Sequence, residues 1–215
     1  LFYVPDDLYF GLGASMNSMA KFYMGFHPNF CIDTFKKLTG LFGLDPKKLT
    51  VLVSGGSRGA RAINLAMIGV IKTAAAHPEV QFLHVTGKRG YEPVLKGLKE
   101  AGVDLAACPH ILVKPYLYNM PQAMAMADLA IFRAGATGLA ELTARGIPAI
   151  LVPYPYAAEN HQEHNARALE EAGAARMILD RDLSSERLAS VLTELLSEPA
   201  KLAQMAAASR RLGRP

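Results

Sequence analysis

Three loops hold most of the residues in this chain whose types and spacing could do chemistry. The first, Ser54-Gly55-Gly56-Ser57-Arg58-Gly59-Ala60, follows the apolar run Val51, Leu52, Val53 and precedes an amphipathic stretch. Glycines let the backbone turn sharply and approach a ligand without a Cβ, while a helix start offers unpaired N–H groups and a positive dipole to a phosphate. Ser57 adds a hydroxyl donor; in a purely structural role it would cap the helix of a tight βα turn. The run is neither a P-loop, which needs G-K-[ST] at its end, nor G-x-G-x-x-G. The second loop, Arg133-Ala134-Gly135-Ala136-Thr137-Gly138-Leu139-Ala140-Glu141, again puts small residues where a strand passes into a helix, suited to the same anion from the other side. A lone helical Glu is usually solvated. Glu141, set in one of two paired Gly-rich loops, can instead accept hydrogen bonds from both hydroxyls of a ribose.

The third loop runs from Pro153 to Asn165 and contains Pro153-Tyr154-Pro155-Tyr156, then Asn160-His161-Gln162. Prolines and aromatics stiffen the exit from a strand, and Asn160, His161 and Gln162 gather donors and acceptors suited to sugar hydroxyls where a helix begins. His161 and His164, at i and i+3, could ligate a metal, but no third ligand is evident. Asp180-Arg181-Asp182 has the D-x-D pattern of some metal-dependent transferases, yet its place before Leu183-Ser184-Ser185 reads as a turn and helix cap. No metal and no cofactor is expected.

The elements that must position these loops recur in a steady rhythm from Thr50 onward. Candidate strands are 50–54, 80–86, 111–113, 128–132, 148–152 and 175–179, separated by helical patterns, the signature of βα units in a parallel sheet. In the stretch 60–75, Ile63, Met67, Val70 and Ala74 share one helical face, and Leu188, Val191, Leu192 and Leu195 repeat the pattern. The fold class is therefore α/β, a doubly wound, Rossmann-like parallel sheet with ligands at its carboxyl edge. Residues 1–45 differ: ten of the seventeen Phe and Tyr fall there without a clean period. They read as a linker or a remnant of a neighbouring domain, with lipid or protein contact as alternatives, and 46–215 as the ligand-binding domain.

Composition bounds the function. With 215 residues, 51% hydrophobic and 20% charged, the chain is long enough for a sizeable core, and disorder, collagen and disulfide scaffolds are excluded. Cys31 and Cys108 form no metal or redox spacing and fit a reducing compartment. A net charge of +4 is too mild for a nucleic-acid binder, but fits anionic small molecules or an anionic membrane surface as partners. The stretch 8–32 carries only Lys21, but Gly, Ser, Asn, His and Pro interrupt it, so no span is read there, and no signal peptide is visible.

Five segments in order resemble the carboxyl-terminal domain of the MurG family, the UDP-N-acetylglucosamine transferases that complete the lipid-linked disaccharide of peptidoglycan. They are Gly55-Gly56-Ser57-Arg58-Gly59-Ala60-Arg61, His84-Val85-Thr86-Gly87-Lys88, Pro115 to Met120, Arg133-Ala134-Gly135-Ala136 with Glu141, and Asn160-His161-Gln162, within a resemblance running from about Gly43 to Pro215. The resemblance implies a GT-B architecture of two Rossmann-like domains, of which this chain supplies the donor-binding one. By position, Gly55, Gly56 and Ser57 would meet the diphosphate, joined by the backbone of Gly135, Ala136 and Thr137. Tyr116 by ring contact and Leu117 by its backbone would flank the uracil, and Met120 would line that pocket. Glu141 would hold the ribose, and His161 and Gln162 the N-acetylglucosamine. The last two residues favour this family over related diacylglycerol glycosyltransferases.

The family's chemistry is an inverting displacement in which the 4-hydroxyl of undecaprenyl-pyrophosphoryl-N-acetylmuramoyl-pentapeptide attacks the anomeric carbon of UDP-N-acetylglucosamine. Helix N-termini can stabilise the leaving diphosphate without a metal. The base and acceptor site belong to the family's amino-terminal domain, so the catalytic residue is not assigned here, and this chain alone is expected to bind donor without turnover. The location implied is the cytoplasmic face of a bacterial inner membrane, as a peripheral protein, or the cytoplasm. One departure stands out: where the family has Asn-Pro-Val-Arg, this chain reads Phe26-His27-Pro28-Asn29-Phe30. A lost charge-assisted phosphate contact costs about 1.5–3 kcal/mol, so weaker donor binding is expected and Phe30→Arg should strengthen it. The chain also stops at Arg214-Pro215, where the family continues into a further helix, so both edges read as cuts. Alternatives are a GT-B transferase for another UDP-sugar or a diacylglycerol acceptor, and a non-catalytic subunit of a split transferase.

Overall fold

Strands buried on both faces by flanking helices read as near-continuous apolar runs, and the short runs of this chain are of that kind. The computed structural model describes residues 40, 42–45, 47–55 and 60–213. Within them the order is β1 (Leu49–Ser54), α1 (Arg61–Ala74), β2 (Val80–Val85), α2 (Lys88–Glu100), β3 (Ile111–Lys114), α3 (Met120–Ala125), β4 (Leu129–Phe132), α4 (Ala136–Arg145), β5 (Ala149–Leu151), α5 (His161–Glu171), β6 (Ala175–Met177), α6 (Ser185–Ser197) and α7 (Pro199–Leu212). All six strands pair in parallel in the order β3-β2-β1-β4-β5-β6. This is the doubly wound sheet the sequence predicts, with the reversal of strand order falling between β1 and β4.

Side chains alternate across the sheet and divide the core in two. Val51, Val53, Phe82, Ile131 and Ile150 face one layer with Ile63, Met67 and Val70 of α1, Val94 and Leu98 of α2, and Leu188, Val191 and Leu195 of α6. Leu52, Leu83, Val85, Phe132 and Leu151 face the other with Met124 of α3, Leu139 and Leu142 of α4, and Ala166 of α5. Phe42 and Leu44, inside the segment 1–45, are buried on this second face. The rest of that segment apart from Gly40, Gly43 and Asp45, including Phe30 and Cys31, lies outside the described residues.

Four of the expected strands, 80–86, 128–132, 148–152 and 175–179, run one or two residues longer than the observed ladders, while β1 and β3 each gain one residue at Leu49 and Lys114, and the reason is local. Thr86, Val152 and Ile178 still donate their N–H groups to Lys114, Phe132 and Leu151 at 3.0, 2.9 and 2.9 Å, so they continue the sheet as single bonds where the paired ladder has ended. Pro148 has no N–H to pair.

The last helix crosses from one layer to the other. Leu202 and Met205 of α7 pack into the first core, whereas the Ser209 hydroxyl donates to the Ile147 carbonyl at 3.0 Å beside α4. That junction is tight. Gly146 closes α4 at φ +66°, and a Cβ there would stand 2.8 Å from Arg210 Nε; one at Gly213 would stand 2.6 Å from the Thr143 carbonyl oxygen.

Candidate functional site

Two helices begin at the carboxyl ends of neighbouring strands, and neither N-cap residue makes a side-chain cap hydrogen bond among the described residues. α1 starts after β1 with Ala60 at its N-cap, and α4 starts after β4 with Gly135 there, and neither residue's side chain accepts from the first turn. Their leading N–H groups remain donors, and the positive ends of both dipoles lie where the strand order reverses. Gly55 is half-buried at the end of β1, and Ala136 and Thr137 are exposed at the start of α4. Gly56 and Ser57 lie outside the described residues.

β5 contributes the third wall. After it, Glu159 and Asn160 both adopt φ +51°, a left-handed conformation that non-glycine residues enter at a cost of about 1–3 kcal/mol each, and α5 begins directly at His161. The His161 Nδ1–H donates to the Ala158 carbonyl at 2.7 Å, which leaves Nε2 as an acceptor on an exposed ring. Gln162, one residue on, accepts the Tyr154 N–H on its Oε1 at 3.0 Å. Its Nε2 lies 3.9 Å from where a Cβ on Gly135 would stand, so the third loop meets the second. Asn165 fastens the same two loops, Nδ2 donating to the Ala134 carbonyl at 3.2 Å.

The loop after β3 reaches the site from the side. Tyr116 is half exposed and stacks edge-on against Tyr118 at 5.0 Å, while Leu117 and Met120 pack on the second core and lead into α3, which rests on α4. Glu141 is half-buried in the second turn of α4, and its carboxylate forms no ion pair among the described residues. Of the residues singled out by sequence, Gly135, Ala136, Thr137 and Gln162 are thus brought together, with His161 beside them. Tyr116 and Leu117 lie in the loop before α3, Met120 opens α3, and Glu141 stands on α4, against which α3 rests.

Sequence reasoning missed the groups that hold these loops. Arg133 directs one guanidinium nitrogen, Nη1, to the Val152 carbonyl (3.2 Å), the Pro153 carbonyl (3.1 Å) and Asp180 Oδ1 (2.5 Å). Asp180 is therefore more than a turn residue: its carboxylate is committed to Arg133, and Asp182 lies 3.8 Å from Arg181. Among the described residues, no group of three or more His, Cys, Asp or Glu is placed to hold a metal ion. Behind α1, Asn64 donates to the Thr86 carbonyl at 2.9 Å and accepts from His84 Nε2 at 3.0 Å. Burial pushes the His84 pKa down to about 4, so its ring is neutral, with the proton on Nε2 and Nδ1 unpartnered among the described residues. A histidine deep inside a mostly apolar strand was the available signal for this cluster.

The family model described as Glycosyltransferase family 28 C-terminal domain matches residues 50–214. The chain is 51% identical over 175 residues to the UDP-N-acetylglucosamine–N-acetylmuramyl-(pentapeptide) pyrophosphoryl-undecaprenol N-acetylglucosamine transferase of Desulforamulus reducens, covering 81% of this chain and 47% of the relative. It is 52% identical over 174 residues to the protein of the same name in Moorella thermoacetica, with the same coverage. The chain thus spans about half the length of these curated relatives. The crystal structure of Acinetobacter baumannii MurG superposes with a TM-score of 0.67 at 30% identity, over 78% of this chain and 48% of that one. The C-terminal CMP-Kdo binding domain of WaaA from the same organism, at 11% identity and a TM-score of 0.62, shares the fold over 84% of this chain and 96% of its own. Among the described residues, no helix is long and apolar enough to cross a membrane.

Proposed function

Because the chain belongs to the glycosyltransferase family 28 C-terminal domains, we propose that it is the donor-binding half of an inverting transferase. That enzyme moves N-acetylglucosamine from UDP-N-acetylglucosamine to undecaprenyl-pyrophosphoryl-N-acetylmuramoyl-pentapeptide at the cytoplasmic face of a bacterial inner membrane. The observation that carries the reading is the meeting of two uncapped helix starts on adjacent strands with a side-chain amide above Gly135.

Each part has a task in that reading. The N–H groups opening α4 at Ala136 and Thr137, with Gly55, Gly56 and Ser57 before α1, hold the diphosphate and stabilise it as it leaves. Leu117 and Met120 bound the uracil beside Tyr116, and the unpaired Glu141 carboxylate accepts from the ribose diol. Gln162 and His161 read the sugar. Attack by the acceptor hydroxyl inverts the anomeric carbon, with the general base and acceptor site supplied from outside these residues.

Thermal unfolding of the chain with UDP, UDP-N-acetylglucosamine, UDP-glucose and an adenine nucleotide tests this. At 100 times its dissociation constant a ligand adds about 2.7 kcal/mol, a midpoint shift of roughly 5–11 °C at this size. Shifts are expected with UDP and the N-acetylated sugar nucleotide alone. An equal shift with the adenine nucleotide, or none with any ligand, would overturn the reading.

A further inference from the structure

Gln162 is an amide that could face a ligand either way, offering a carbonyl or an NH2. Its orientation is decided by Tyr154, whose backbone N–H can only donate and takes the Gln162 oxygen at 3.0 Å. The NH2 end is left over Gly135. Tyr154 opens the exposed run Tyr154-Pro155-Tyr156 that follows the buried Pro153, and beyond the edge contact of its two rings at 5.6 Å that run stands in the open, Tyr156 being 83% exposed. What fixes it comes from beneath. Arg133 Nη1 holds the carbonyls of Val152 and Pro153, its guanidinium lies 5.6 Å from the Tyr154 ring centroid, and Asp180 anchors it from the segment after β6. The side chains of this ion pair are only 11% and 24% exposed, so neither partner can leave the other without stranding a charge.

We propose that Arg133 and Asp180 are positioning residues for sugar selection. By fixing the Pro153-Tyr154 backbone they make Gln162 present its NH2, and not its carbonyl, to a hydroxyl oxygen of the donor sugar. The inference rests on the donor-site reading above and adds what sets the polarity of its sugar reader. It separates the two ends of the ligand: the strut joins the loops after β4, β5 and β6, whereas Leu117 lies in the loop after β3, Met120 at the start of α3 and Glu141 on α4.

The test is calorimetric titration of the chain with UDP and with UDP-N-acetylglucosamine. It compares the unchanged chain with Asp180→Asn, Arg133→Lys and, as a control in the same turn, Asp182→Asn. Asp180→Asn and Arg133→Lys are expected to weaken UDP-N-acetylglucosamine about tenfold, the scale of one misplaced hydrogen bond, and UDP by less than about twofold. Asp182→Asn should change neither. Equal losses for both ligands would mean that the strut only supports the fold, and unchanged affinity for the sugar nucleotide would mean that it does not aim Gln162; either overturns the proposal. An unchanged chain that binds neither ligand would instead overturn the donor-site reading beneath it. Should Asp180→Asn fail to fold, Asp180→Glu keeps the ion pair at a different reach and is judged by the same ratio.

Discussion

The two edges of the sheet use polar side chains in opposite ways. At the amino edge, Gln81 donates to the Asp45 carbonyl and the Thr50 hydroxyl at 2.9 and 2.8 Å and accepts the Asp45 N–H at 2.9 Å, while Asp128 accepts the Thr50 N–H at 2.7 Å. Every group there is matched within the chain. At the carboxyl edge, Arg133, Asp180 and Asn165 are also matched, but they hold up a second rank of groups, the Gln162 NH2, the His161 Nε2, the Glu141 carboxylate and the first amides of α4, that have no partner among the described residues. One edge is closed upon itself, and the other is a frame with its donors turned outward. Ligand binding needs the second arrangement, because donors already fixed in place cost little reorganisation when a diphosphate arrives.

The contrast breaks most clearly at Gln81. Gln81→Leu removes three hydrogen bonds and strands the buried Thr50 hydroxyl, so denaturant unfolding should show a loss of about 2–4 kcal/mol with UDP affinity unchanged once the chain is folded. Glu141→Gln should do the reverse. It is expected to cost about 1.5–3 kcal/mol of UDP binding while stability stays within about 0.5 kcal/mol, both measurable on one sample. Gly90→Ala sharpens the boundary between the two regions, since the new Cβ would stand 2.2 Å from Asn64 Nδ2 and disturb the Asn64–His84–Thr86 cluster behind α1. A stability loss of about 1–3 kcal/mol is expected, with a smaller effect on nucleotide affinity.

The smallest effect is a pair of opposed pH slopes. Burial pushes the Asp128 carboxyl up to about 7 from its ordinary 3.8, with the Thr50 N–H opposing, so its contribution is full at low pH and is lost as pH rises between those values. His84, held down to about 4 from 6.5, contributes above 6.5 and loses that contribution as pH falls toward 4. Between about pH 4 and 6.5 the two offset each other. Asp128→Asn, whose side-chain oxygen still accepts from Thr50, should therefore expose a steeper acid loss, and His84→Gln a steeper loss toward neutral pH. A flat profile in both variants would contradict this pairing of slopes.

Elements whose order is local could be read from the sequence. Six apolar runs spaced by helical patterns predicted six parallel strands, because each strand is recognised by its own few residues and each helix by a period of three to four. Of the two glycine loops, Gly56 to Gly59 lie outside the described residues, and at Gly135 and Gly138 a Cβ would meet only ordinary contacts at 3.9 and 3.7 Å, so the second loop is set by its place between β4 and α4 and not by a turn that excludes a side chain. Contacts between distant residues were not legible. Arg133 and Asp180 are 47 positions apart and Asn165 and Ala134 are 31 apart, and nothing in either segment names its partner. Tyr116, Leu117 and Met120 drew attention only through family resemblance, since an exposed aromatic loop after a strand has no spacing that points to a base. The path of α7 was likewise hidden, because the 3.6-residue period shows that a face is buried, not which layer it enters.

That crossing helix has a consequence for how the protein is made. Ser209 reaches back 62 residues to Ile147, and Leu202 and Met205 fill the core beside α6. On a ribosome adding about 5–20 residues per second, the α4–β5 junction waits roughly 3–12 s for the segment that seals it. During that interval the Ile147 carbonyl and the core surface beside α6 wait on the nascent chain without the helix that later covers them.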